Sequence, residues 1–162
     1  MFLHYRNSRY GNTHYDKNLQ ALKEKIEILR NEPLKRRKFL NIMISQIRPY
    51  YVHLLSNYNK ILEQRNNYLK QIKYDKKPKK NIEIWDEQLV NLGIKINNYR
   101  KEFIEKINEK INNIHLKTTE NNEKIEIIYK TNIKDKEDYL IKLNQNMEID
   151  ILKGYTSIGV HR

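Results

Sequence analysis

Apolar positions along this chain recur mostly at spacings of three and four, the period that lays a stripe along one face of a helix. Leu19, Leu22, Ile26 and Leu29 form the first stripe, and Asp16 can cap its start by accepting bonds from free backbone N–H groups. Pro33 suits the first turn of a second helix, where its missing N–H removes no bond. After a break at Arg48-Pro49, the residues Tyr51, Leu55, Tyr58, Leu62, Leu69 and Ile72 share a face that only Arg65 interrupts. Residues 73–81 are polar, rich in lysine and carry Pro78, which predicts a loop. Beyond it a longer helix is expected from Ile82, with Asn81 as cap. Its stripe is Trp85, Leu89, Leu92, Ile96, Tyr99, Phe103, Ile107, Ile111 and Ile114.

Two helices joined by so short a connection lie antiparallel and side by side. The shared near-heptad stripe makes a two-stranded coiled-coil hairpin the simplest structure. Each Leu or Ile buried along its seam contributes about 1.5–3 kcal/mol, so stability spreads along the arm. Helical period fades after Thr118, and Lys124–Lys130 alternates as a strand does. Residues 135–152 return to helix with Tyr139, Leu140, Leu143, Met147 and Ile151 inward, and Gly154 is placed to end it in a left-handed conformation. Tyr155–Val160 reads as a second short strand. The expected fold is therefore mainly α: an antiparallel coiled-coil hairpin with one or two short β-strands. Its expected parts are an N-terminal segment with one helix (1–32), a helical arm (33–119, tip near 73–81) and a strand–helix–strand return (120–162).

Lys and Arg number 32 against 20 Asp and Glu among the 162 residues, a formal net charge of +12. That excess favours nucleic acid, an anionic membrane surface or an acidic partner. A competing account is codon usage, because the chain is also crowded with Asn, Ile and Tyr, which A+T-rich codons encode. Cysteine is absent, which excludes disulfides and thiolate metal sites. His4, His14, His53, His115 and His161 show no metal-ligand spacing. No apolar run reaches the roughly 18 residues needed to cross a bilayer, and Met1-Phe2-Leu3 does not open a signal peptide, so a cytoplasmic protein without a membrane partner is expected. Asp86-Glu87 and Glu137-Asp138 are neighbours in sequence and diverge on a helix, leaving no constellation for catalysis.

Several segments resemble one known family, in order. Arg36-Arg37-Lys38-Phe39-Leu40 opens the series, followed by Tyr51-x-x-x-Leu55-x-x-Tyr58, Ile61-Leu62-x-x-Arg65-Asn66-x-x-Leu69-Lys70 and Ile84-Trp85-Asp86-Glu87-Gln88-Leu89. Gly93, Arg100, Phe103 and His115 come next, and Gly154-Tyr155-Thr156-Ser157-Ile158-Gly159-Val160-His161-Arg162 closes it. Together, over about residues 28 to 162, these are similar to the RecF family of DNA-repair ATPases. The resemblance implies a helical arm inserted into a head related to ABC and SMC-like ATPases, with the two strands belonging to that head. It further implies binding of single-stranded and duplex DNA without sequence preference, loading of recombinase at stalled forks, and a place in recombination and the SOS response. ATP and magnesium are the cofactors of the intact family. DNA, a second copy of the chain and other recombination mediators are the partners it implies.

Departures from the family pattern are specific. Asn41 stands where the family has Asp, and Val160 where it has Pro. No GxxxxGK[ST] occurs, so no P-loop is available to cradle a phosphate and this chain alone is expected to bind no cofactor and hydrolyse no ATP. Two readings of the cations stand side by side. Arg36, Arg37 and Lys38 hold DNA phosphates, or they tether the arm through carboxylates. Lys76, Lys77, Lys79 and Lys80 touch a nucleic-acid backbone, or they form a solvated tip. Gly159, His161 and Arg162 carry the family motif. Trp85 and Tyr99 are expected to pack, Tyr50 and Tyr51 to be partly exposed, and Arg65 to pair with an acid across the seam. The alternative to a DNA-repair role is a structural or protein-interaction coiled coil with no DNA affinity.

Overall fold

The computed structural model describes residues 32–118 and 126–162, the side chains of 112–118 aside. The expected first helix, with its stripe Leu19 to Leu29, and the first two residues of the 124–130 segment lie outside them. Residues up to Asn41 belong to one compact unit and residues from Ile42 onward to another.

Helix α1 (Pro33–Ile47) begins at the proline, as its missing N–H favours. Within the first unit, Arg36 donates its backbone N–H to Glu32 O at 3.0 Å, and Lys35 pairs with the Glu32 carboxylate at 2.7 Å. The α1 helix stops where Pro49 follows Arg48, because the residue before a proline is pushed out of helical geometry; Arg48 has φ −130°. Pro49 then opens α2 (Pro49–Asp75).

The second unit is organised on α2 and α3 (Glu83–Thr118), joined by a tip in which Lys76 takes a left-handed conformation (φ 54°) and Lys79–Ile82 makes a 3₁₀ turn. Asn81 lies inside that turn and does not cap α3. The predicted loop is shorter than 73–81, because α2 continues to Asp75. At 1.5 Å per residue the two helices are about 40 and 54 Å long. Partners descend along α2 as they ascend along α3, which fixes an antiparallel hairpin. Tyr68 stacks on Trp85 (centroids 4.6 Å apart), Arg65 meets Asp86, and Tyr51 meets Arg100 and Tyr99. The buried face of α2 is Tyr51, Leu54, Tyr58, Arg65, Leu69 and Ile72, so Leu54 takes the place expected of Leu55.

This hairpin does not stand as a bare pair of rods. Helix α4 (Lys136–Gln145) packs on α3, and α5 (Met147–Lys153) packs on α2. Asp135 caps α4 by accepting the Asp138 N–H, while Asp138 accepts the Lys134 N–H in return. Asn146 divides the single helix expected over 135–152 into two. Gly154 ends α5 at φ 70°, as its spacing predicts. Near the tip the core is Leu69, Ile72, Ile82 and Ile151 with Tyr68, Trp85 and Met147 against it.

The expected β-strands are corrected by the structure: no strand occurs among the described residues. Tyr155–Val160 is a chain of bends, because Gly159 sits at φ 138° and Arg162 N–H turns back to Gly159 O, a geometry no ladder accepts. Residues 126–130 find no partner strand. Instead the carboxamide of Asn108 accepts the Ile127 N–H (2.8 Å) and donates to Ile127 O (2.9 Å), supplying by side chain the rung a neighbouring strand would have made.

Candidate functional site

Two kinds of polar group matter here, exposed cations and a buried network. The helical period turns Arg65 inward on α2, where its side chain is fully enclosed. An enclosed guanidinium needs acceptors on several sides. Its Nε donates to Asp86 of α3 at 2.5 Å, and its Nη1 to Asp150 of α5 at 3.0 Å and Thr156 Oγ1 at 2.9 Å. The network continues outward. Asn66 Oδ1 accepts both the Thr156 N–H and the Thr156 hydroxyl at 2.7 Å, and Asp150 Oδ1 accepts the N–H and hydroxyl of Ser157. One cation thus faces two carboxylates. Burial raises the Asp86 carboxyl above its ordinary range, and the charge of Arg65 pulls the other way.

A second buried chain lies along the same seam. Tyr58 OH is 2.9 Å from Tyr139 OH and 2.9 Å from His161 Nδ1, while His161 Nε2 is 3.1 Å from Thr156 O. A carbonyl only accepts, so Nε2 carries a proton; in the neutral ring Nδ1 then accepts from Tyr58, which accepts from Tyr139. Burial pushes the Tyr58 hydroxyl up to about 12 and Tyr139 above the ordinary phenol range. Gly159 makes this possible, because a Cβ there would fall 2.3 Å from Tyr139 OH and 2.4 Å from Tyr58 OH. Arg100 donates to Tyr51 OH and, at 2.7 Å, to Val160 O. Arg162 donates to Thr156 O at 2.8 Å and covers the Tyr155 ring.

The predicted site residues therefore separate. Gly159, His161 and Arg162 come together, closing the C-terminal turn onto the hairpin. Lys76, Lys77, Lys79 and Lys80 gather, exposed, at the hairpin tip, with Lys79 paired to Glu148. Arg36 and Lys38 are exposed and Arg37 half-buried on α1, in the first unit. Trp85 packs against the tip core, Tyr51 is buried, and Tyr50 is 58% exposed. Sequence reasoning gave Asp150 no role, and it named Asn66, Thr156, Tyr58 and Tyr139 only within family-like segments or apolar stripes, not as a network. The interruption of an apolar stripe by Arg65 was the signal that a buried polar partner was needed. Among the described residues no group of acidic or histidine side chains is arranged for a metal ion, and no helix is long and apolar enough to cross a membrane. His161 and Arg162 of the family motif are both engaged with the Thr156 carbonyl, holding the turn.

These features define a helical-hairpin protein whose returning C-terminal segment is clasped by a buried Arg–Asp network. No protein-family model matches the chain. It is 37% identical over 139 residues to the DNA replication and repair protein RecF of Lachnoclostridium phytofermentans, covering 86% of this chain and 38% of that protein. It is 39% identical over 138 residues to the RecF protein of Leptospira interrogans, covering 85% and 37%. A solved structure of the recombination mediator protein RecF-ATPrS in the RecFOR pathway superposes with a TM-score of 0.75 at 32% identity, over 86% of this chain and 39% of that one. The chain matches one region of the RecF family and spans a little more than a third of the length of these relatives.

Proposed function

We propose that this chain serves DNA replication and repair as the helical arm of a RecF-type recombination mediator, contacting single-stranded and duplex DNA without sequence preference. The observation that carries this reading is its 37–39% identity to relatives named DNA replication and repair protein RecF. Support comes from the four exposed lysines of the hairpin tip and from Arg36, Arg37 and Lys38 on α1. Phosphate contacts supply most sequence-independent affinity, and helices hold such cations at fixed spacing. In this reading the protein works in the cytoplasm, with other recombination mediators and a second copy of itself as partners. ATP and magnesium are bound by parts of the family's length that these residues do not span.

Binding to a gapped duplex across a salt series tests it. If all four tip lysines meet phosphates, the log–log slope of affinity against salt approaches roughly −3 to −4. Affinity that is flat with salt rejects phosphate contact. Converting Arg36 and Arg37 to Glu lowers affinity if that pair contributes. A second reading, a protein-interaction hairpin basic through codon usage, is favoured by the internal engagement of His161 and Arg162, which gives that motif a structural role. It predicts self-association in sedimentation with no DNA-dependent change.

A further inference from the structure

Near the tip, two exposed rings alternate with cations in a continuous series. Tyr74, at the end of α2, is 72% exposed. Lys73 lies beside it, with Nζ 5.2 Å from the ring centre, and reaches across to donate to Leu152 O at 2.8 Å, which anchors the end of α2 to the end of α5. Past Leu152, Lys153 Nζ lies 5.9 Å from the Tyr155 ring centre and the Arg162 guanidinium 4.8 Å from it. The carboxylates nearby in sequence are Asp75, Glu148 and Asp150; Glu148 is taken by Lys79, and Asp150 is buried against Arg65. An ammonium has three donors, so Lys73 keeps two after capping Leu152.

A ring left in water beside fixed cations is the arrangement that holds an unpaired base and its phosphates together. Duplex DNA does not use it, because its bases are stacked inside the helix. We infer that Tyr74 and the Tyr155–Arg162 stack form a platform for single-stranded DNA, with Lys73 and Lys153 meeting the intervening phosphates. This rests on the DNA-binding reading above and adds to it the strand form and the surface. Tyr74 supplies the open face; the guanidinium of Arg162, itself planar, extends the second.

The test uses the full chain, fluorescence anisotropy and three labelled probes of about 20 nucleotides: oligo-dT, a base-free strand of the same charge, and a blunt duplex. The unaltered protein binds oligo-dT more tightly than the base-free strand. Tyr74→Ala weakens oligo-dT binding by about fivefold to a hundredfold and leaves the other two probes unchanged, while Tyr74→Phe retains affinity because stacking needs only the ring. If Tyr74→Ala leaves oligo-dT binding intact, or weakens the base-free strand equally, the platform is overturned while DNA binding stands. If the unaltered protein binds none of the probes, both fall together.

Discussion

Replacing Arg65 with Met keeps much of the side chain's length and removes its charge. Asp86 and Asp150 then lose the guanidinium that faces both of them inside the protein. Leaving buried carboxylates without a counter-charge costs about 3–5 kcal/mol. For a chain of this size that lowers the melting temperature by roughly 6–20 °C. The pH dependence separates charge from packing. Burial already raises the Asp86 carboxyl, and Arg65 is the main influence holding it down, so the variant raises it further. A carboxyl raised above its unfolded value holds an extra proton when folded, and its contribution to stability grows as pH falls through the folded pKa. The penalty measured by urea unfolding at pH 7 should therefore shrink by pH 5. Arg65→Lys should lie between, because one ammonium lacks the fork that reaches Asp86, Asp150 and Thr156 together. A penalty below about 1 kcal/mol, or one equal at both pH values, would refute the reasoning.

Gly159→Ala places a methyl group on the hydroxyls of Tyr58 and Tyr139 at a positive φ, and should destabilise by more than about 2 kcal/mol in thermal melts. Tyr58→Phe removes the link between Tyr139 and His161 and should cost about 1–3 kcal/mol, read by chemical unfolding; a change within error would show that the chain of bonds is dispensable. At alkaline pH the unfolded tyrosines ionise near 10 while Tyr58 holds its proton to about 12, with Tyr51 and Tyr139 also raised. The folded form then binds more protons, so stability is intact below pH 10 and falls above it by about 1.4 kcal/mol per pH unit for each such tyrosine, measurable as a shift in urea midpoint between pH 9 and 11.

The helices were legible because their apolar period is strong. Pro33, Pro49 and Gly154 act where they stand. Period alone did not reveal that α4 and α5 pack back on the hairpin, since a stripe states which face is buried and not against what. The strands failed for a related reason. Alternation at 126–130 and 155–160 is a pattern of side chains, and a strand also needs a neighbour for its backbone. Asn108 fills that need in one case and the Gly159 turn removes it in the other. At the site, Arg65 was legible as a charge that must find an acid, and Asp86 answers across the seam. Asp150 was not, because residues 85 positions apart share no local signal.

That last separation has a consequence for how the chain acquires its shape. Arg65 and Asp86 meet as soon as the hairpin closes, a short-range event, but Asp150 and Thr156 reach the same guanidinium only after the rest of the described chain has been made. Until then the Arg65–Asp86 pair is left open to solvent in the middle of α2, with Nη1 lacking its acceptors. Nicking or unravelling the last dozen residues should therefore be felt first at mid-arm, far from the cut in sequence, as faster amide exchange around Arg65.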